Sequence, residues 1–122
     1  MISTPMPHIT LQYKEKGEKV PELKSFFQDL HTLLHETAGI AYEHCKSRLI
    51  PVSNHLVGDG QGDQSFVHLE IRLIEGRPLE IKQKIGNQSV ALLKQYFATT
   101  GQISVELIEM QKSLYFKHPP LS

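Results

Sequence analysis

The chain has no tryptophan and a single cysteine, Cys45. No disulfide can close within it, and a reducing compartment is the expected setting. No apolar run approaches the roughly 20 residues that span a bilayer, and the first residues lack the charged-then-apolar build of a signal peptide. The expected location is the cytoplasm, with no membrane partner. Charge of one sign is also missing, since thirteen Lys and Arg balance thirteen Asp and Glu. That excludes the broad electrostatic footprint of a nucleic-acid-binding protein, so any cationic site must be local. With five Phe, four Tyr and 39% hydrophobic residues in 122 positions, one domain with a modest core is expected, and self-association would add burial.

What is present is periodic. Ile9, Leu11 and Tyr13 alternate with His8, Thr10, Gln12 and Lys14, the period of a half-buried strand, and Pro7 falls on the apolar side by parity. After the turn Glu15 to Lys19, Pro21 opens a helix in which Leu23, Phe26, Phe27, Leu30, Leu33 and Leu34 recur at three and four residues. Gly39 should stop it. A weaker extended segment runs from Lys46 to about Leu56, interrupted by Pro51. The glycines of the loop Gly58 to Asp63 read as a turn, not a phosphate cradle. Beyond it the plan repeats. Val67, Leu69, Ile71 and Leu73 mark a strand, and Arg77-Pro78 leads into a helix carrying Ile81, Ile85, Leu92, Leu93 and Tyr96, with Gly101 at its end. Ile103, Val105 and Leu107 form a last strand before the apolar tail Leu114-Tyr115-Phe116.

The expected fold is α+β in two layers: tandem β-α-β units, a four-stranded mixed sheet and two helices on one face. Residues 1–5 are a small, turn-prone extension expected to be mobile or not native. Residues 6–122 form one domain, with halves at about 6–58 and 63–117. One layer of helices leaves the other sheet face uncovered, which predicts a symmetric oligomer with the Leu114 to Phe116 tail docked on a neighbour.

Pro7 is the candidate catalytic residue. A chain that begins there, after removal of Met6, carries a free secondary amine, a base no internal residue can offer. A chain that begins at Met1 has a tertiary amide at Pro7, which then only opens a strand. His31 and His35 stand at i, i+4, a spacing that suits metal ligation, but no Glu follows His31 and no third ligand is evident, so they read as a solvated or partly packed pair. His68 reads as a hydrogen-bonded side chain on the polar sheet face. His44 beside Cys45 is set aside as a thiol pair, because adjacent residues in a strand point to opposite faces and no orienting acid is evident.

Met6-Pro7-His8-Ile9, Lys46-Ser47-Arg48, Asp59-Gly60-Gln61, Phe66-Val67-His68, Gly76-Arg77-Pro78-Leu79-Glu80 and Leu114-Tyr115-Phe116-Lys117, in this order and spacing, resemble the 5-carboxymethyl-2-hydroxymuconate isomerase family of the tautomerase superfamily. The resemblance runs from Met6 to about Lys117. It implies a tautomerase-like fold, a homotrimer, no metal or organic cofactor, and an amino-terminal proline as general base. The implied reaction is a proton shift within an unsaturated 2-hydroxy di- or tricarboxylic acid in aromatic catabolism. Two features depart from the family: five residues precede Met6, and Lys46 stands where the family has arginine, a point charge in place of a planar bidentate donor.

The residues fit that chemistry. The base must be unprotonated near neutral pH, and burial together with nearby cations lowers an amine pKa. Lys46, Arg48 and Arg77 are the candidate substrate-binding cations, able to hold carboxylates and a developing enolate. Arg77 ranks first as the clamp and Lys46 second. Arg48 lies on the side of Lys46 but further along the strand. Each has a plainer reading: Arg77 as a solvated loop charge, and Lys46 and Arg48 as the polar side of an edge strand. The alternative to an isomerase is a trimeric tautomerase-fold protein that binds small acids or partners without turnover.

Overall fold

The computed structural model describes residues 7–14 and 22–120. The extension 1–5, the turn Glu15 to Lys19 and Pro21 lie outside them. Among the described residues the elements are β1 (His8–Lys14), α1 (Leu23–Ala38), β2 (Lys46–Pro51), β3 (Phe66–Ile74), α2 (Leu79–Tyr96) and β4 (Gln102–Met110), with short 3-10 turns at Tyr42–His44 and Lys112–Leu114. The strands form one sheet in the order β2-β1-β3-β4. The pairs β1 with β2 and β3 with β4 are parallel, and β1 with β3 is antiparallel. This is the expected pair of β-α-β units joined edge to edge.

Alternation decides which side of each strand is dry. Ile9, Leu11, Val67, Leu69, Ile71 and Leu73 are buried on the face that receives α1 and α2. Phe26, Leu30 and Leu34 of α1 and Ile85 and Leu93 of α2 supply the opposing stripes at helical spacing. Phe26 is the keystone: its ring meets those of Phe27, Tyr96 and Phe97 at centroid distances of 5.6, 5.4 and 5.9 Å. Burying each such side chain contributes about 1.5–3 kcal/mol. The Glu22 side chain accepts from Lys24 N at 3.1 Å at the start of α1. Gly39, at φ 68°, closes its end by donating to His35 O, a left-handed position that glycine enters without strain.

Three expectations are corrected in detail. β2 stops at Pro51 and does not reach Leu56: its last bond to β1 runs from the Val52 N–H to Tyr13 O at 3.4 Å, and the register with β1 ends at Tyr13. α2 ends at Tyr96 and not at Gly101: Phe97 leaves helical geometry at φ −122° and carries its ring into the core at 3% exposure. Gly101 serves elsewhere, since its N–H donates to Ser65 Oγ at 2.8 Å and a Cβ there would meet Asp63 Oδ2 at 2.7 Å. His44 and Cys45 occupy a 3-10 turn and its cap, not a strand.

Candidate active site

The N-terminal end of β1, the N-terminal end of β2 and the C-terminal end of β3 lie side by side, because His8 is in register with Lys46 on one flank and Arg72 on the other. Pro7 sits at this corner. It is buried, on the helix side by alternation with Ile9, and its carbonyl accepts the Lys46 N–H at 3.3 Å. A basic nitrogen in such surroundings is disfavoured in its charged form.

The four candidate residues gather at this end of the sheet, but on different faces. Lys46 and Arg48 are register partners of His8 and Thr10, so their side chains leave from the open face, away from the helices. The Lys46 ammonium donates to His44 O at 3.3 Å. Arg48 is engaged with His8, its Nη2 lying 2.8 Å from Nδ1. Arg77 lies three residues beyond Ile74, in the loop that enters α2. It is half-buried, and its Nη1 donates one long bond of 3.5 Å to Ile74 O. Burial lowers its pKa from the ordinary value, yet a guanidinium stays charged. Among the described residues no carboxylate reaches it. A partly desolvated cation with most of its five donors unused is a place for an anion.

A groove of about 500 Å³ opens on the other face, lined in part by His8, Arg48, Arg72, Glu109, Leu114 and Tyr115. Pro7, Lys46 and Arg77 do not line it. A guanidinium only donates, so His8 Nδ1 accepts, and the neutral ring carries its proton on Nε2, which donates to Tyr115 Oη at 2.9 Å. Burial, then the charges of Arg48, Lys46 and Arg72, hold the His8 pKa below its usual value. Sequence reasoning did not find the His8 to Tyr115 bond. Its partners stand 107 positions apart, and the position of His8 next to Pro7 was the one available signal. Leu114 and Phe116, on either side of Tyr115, remain 69% and 84% exposed.

The other candidates of the chain are occupied structurally. His31 Nε2 meets Ser47 Oγ at 2.7 Å and His35 Nδ1 meets Ile40 O at 2.8 Å, so the two rings tie α1 to β2 and to its own C-terminal loop. Burial pushes the Cys45 thiol up to about 11, which keeps it from acting as a nucleophile near neutral pH. His68 is hydrogen-bonded on the open face, to Ser104 Oγ at 2.6 Å.

Known proteins carry the same frame. The sequence model of the family described as 5-carboxymethyl-2-hydroxymuconate isomerase matches residues 7–122. The 5-carboxymethyl-2-hydroxymuconate Delta-isomerase of Escherichia coli is 27% identical over 117 residues, covering 92% of this chain and 93% of that protein. The crystal structure of a 5-carboxymethyl-2-hydroxymuconate isomerase from Deinococcus radiodurans superposes with a TM-score of 0.81 at 25% identity, covering 94% of this chain and 90% of that one. A fused 4-OT solved as a symmetric trimer superposes with a TM-score of 0.78 at 14% identity, over 94% of both chains, and shares the fold.

Proposed function

The chain belongs to the 5-carboxymethyl-2-hydroxymuconate isomerase family, a family of isomerases on the tautomerase fold, and we propose that it is a cofactor-independent tautomerase of an unsaturated 2-hydroxy di- or tricarboxylic acid. Its base is the secondary amine of Pro7 in a chain that begins at that residue. The observation that carries this reading is the pairing, at one end of the sheet, of a buried Pro7 with a half-buried Arg77 that has no counter-ion among the described residues. The family match beginning at residue 7 also supports it.

The chemistry follows from the surroundings. A chain amine has a pKa of about 7.7–8.0, and a secondary amine lies higher. Burial of Pro7 and the positive charges of Lys46 and Arg77 both favour the neutral base. The amine takes the enol proton, the electron pair moves through the conjugated chain, and the protonated amine returns a proton to a carbon of the same molecule, so no atom is gained or lost. Arg77 holds a substrate carboxylate or the dienolate oxygen, and Lys46 supplies the second cation. Arg48, locked to His8, shapes the open face. The lysine at 46 tunes substrate preference more than reaction type, because it keeps charge and loses the fork.

The protein acts as a homotrimer in the cytoplasm. A fused 4-OT of this fold is a symmetric trimer, and the protruding Leu114 and Phe116 offer apolar anchors to a neighbouring copy.

The test compares protein verified by intact mass to begin at Pro7 with its Pro7→Ala counterpart, following ketonisation of 2-hydroxymuconate-type acids by ultraviolet absorbance. The expected result is a loss of at least about 100-fold in kcat/KM, the scale of general-base catalysis. Full turnover by Pro7→Ala overturns the assignment. Inactivity of the Pro7-starting protein on every enol acid offered leaves the acid-binding protein without turnover as the better reading.

A further inference from the structure

Three metal-ligating side chains converge on the open face of the sheet, away from Pro7. They are His68 and Glu70 of β3 and Glu106 of β4, and among the described residues their ligand atoms all lie within 4.8 Å of one another. Register explains the convergence. Glu70 is the direct partner of Glu106, and His68 the partner of Ser104, all on the face opposite the helices. Two carboxylates directly opposite each other repel unless a positive charge lies between them. Glu70 is half-buried and, within the described residues, makes no hydrogen bond or ion pair; neither Arg48 nor Arg72, which line the same groove, reaches it.

A second observation concerns the imidazole. His68 Nδ1 lies 2.6 Å from Ser104 Oγ; in the tautomer whose Nδ1–H donates to the hydroxyl the Nε2 lone pair is presented to the carboxylates, and in the other Nε2–H itself points toward Glu106. Glu106 Oε1 is 3.5 Å from that nitrogen. In the first tautomer the lone pair faces a carboxylate oxygen across a gap that a metal cation can fill. A histidine whose remote N–H is fixed by a second group is the usual arrangement at a metal.

We propose that His68 Nε2, Glu70 and Glu106 form a divalent-cation site of the zinc class. One imidazole and two carboxylates neutralise a divalent charge, and an imidazole ligand disfavours magnesium and calcium, which prefer all-oxygen shells. The fourth position is left to water. Both strands belong to one chain, so the site needs no second copy. The ion would pin β4 to β3 across the open face, and its role is structural, since the ligands face away from the buried Pro7.

The test is equilibrium dialysis of the chelator-treated full chain against zinc chloride, with thermal melts alongside. The expected result is one zinc ion per chain and a Tm that rises by roughly 10 °C at a hundredfold excess over Kd. His68→Gln and Glu106→Gln should each weaken binding by at least about tenfold, Ser104→Ala by about tenfold through loss of ring orientation, and Glu36→Gln on α1 should leave it unchanged. Magnesium should give no Tm rise. Absence of stoichiometric zinc overturns the proposal and leaves a proton-bridged His68 and Glu106. Binding that survives His68→Gln within threefold also overturns it, because the ion then sits at other histidines. Should His68→Gln fail to fold, Glu106→Gln, with a side chain 57% exposed, decides the matter.

Discussion

Replacing Arg77 separates binding from folding more cleanly than any other change at the site. Its guanidinium has five donors, and the described residues occupy one of them, through the 3.5 Å contact with Ile74 O. A substrate carboxylate would take two more as parallel charge-assisted bonds, each contributing about 1.5–3 kcal/mol. Arg77→Ala should therefore cost about 3–6 kcal/mol of transition-state binding, or roughly 150- to 25,000-fold in kcat/KM. Arg77→Lys keeps the charge without the fork and should lose about tenfold. Stability should move little, since the half-buried charge has no counter-ion in the described structure to lose and its removal relieves desolvation. The assay is steady-state turnover of a 2-hydroxymuconate-type acid by protein beginning at Pro7, with a urea unfolding curve for each variant. Turnover by Arg77→Ala within threefold of the parent refutes the clamp. A drop in activity matched by a collapse of the urea midpoint refutes the separation, and marks Arg77 as a packing residue.

Cys45, its thiol pushed up to about 11, should react with iodoacetamide at pH 8 roughly two orders of magnitude more slowly than a free cysteine of ordinary pKa, about 8.5; labelling at the free-thiol rate would show that the burial is not retained in solution. His8 and His31 both have pKa values held below 6.5. The unfolded chain then takes up protons first as pH falls through about 6.5, so stability should fall on acidification through that window and into the lowered values. Histidine NMR titration should place both rings below the ordinary value, and urea midpoints of His8→Gln should depend less on pH than those of the parent. Ser89 is fully buried in α2 with its hydroxyl unpartnered among the described residues. Ser89→Ala removes an unsatisfied polar group and improves helix propensity, and should raise stability by about 1 kcal/mol, or roughly 3–5 °C in Tm; a lower Tm by calorimetry would show that the hydroxyl has a partner.

Much of the frame was legible because the dry faces are written in period. The alternation of Ile9 and Leu11, and of Val67 to Leu73, located β1 and β3, and the spacing of Phe26, Leu30 and Leu34 located α1. Ends were less legible where burial overrode a local signal. Gly101 looked like a helix stop, but Phe97 ended α2 first because its ring had a place in the core. The candidate site was legible as a set of residues, Pro7, Lys46, Arg48 and Arg77, carried by their match to a family. Parity even put Lys46 and Arg48 on one side of β2. That the partner of Arg48 is His8, and that His8 reaches on to Tyr115, had no local sign, since both bonds cross long stretches of chain.

By itself, then, the sequence determined the elements, their repeat in two halves and the face of each strand that must be dry, because backbone period and hydrophobic burial act over a few neighbouring residues. It also determined the family, through short motifs kept at constant spacing. Only the tertiary structure decided what stands beside what. Pairing β1 antiparallel to β3 put Arg77 at the Pro7 end of the sheet, and pairing β3 parallel to β4 set Glu70 opposite Glu106. Those juxtapositions come from register, and register is settled by the packing of the whole core and not by any segment alone.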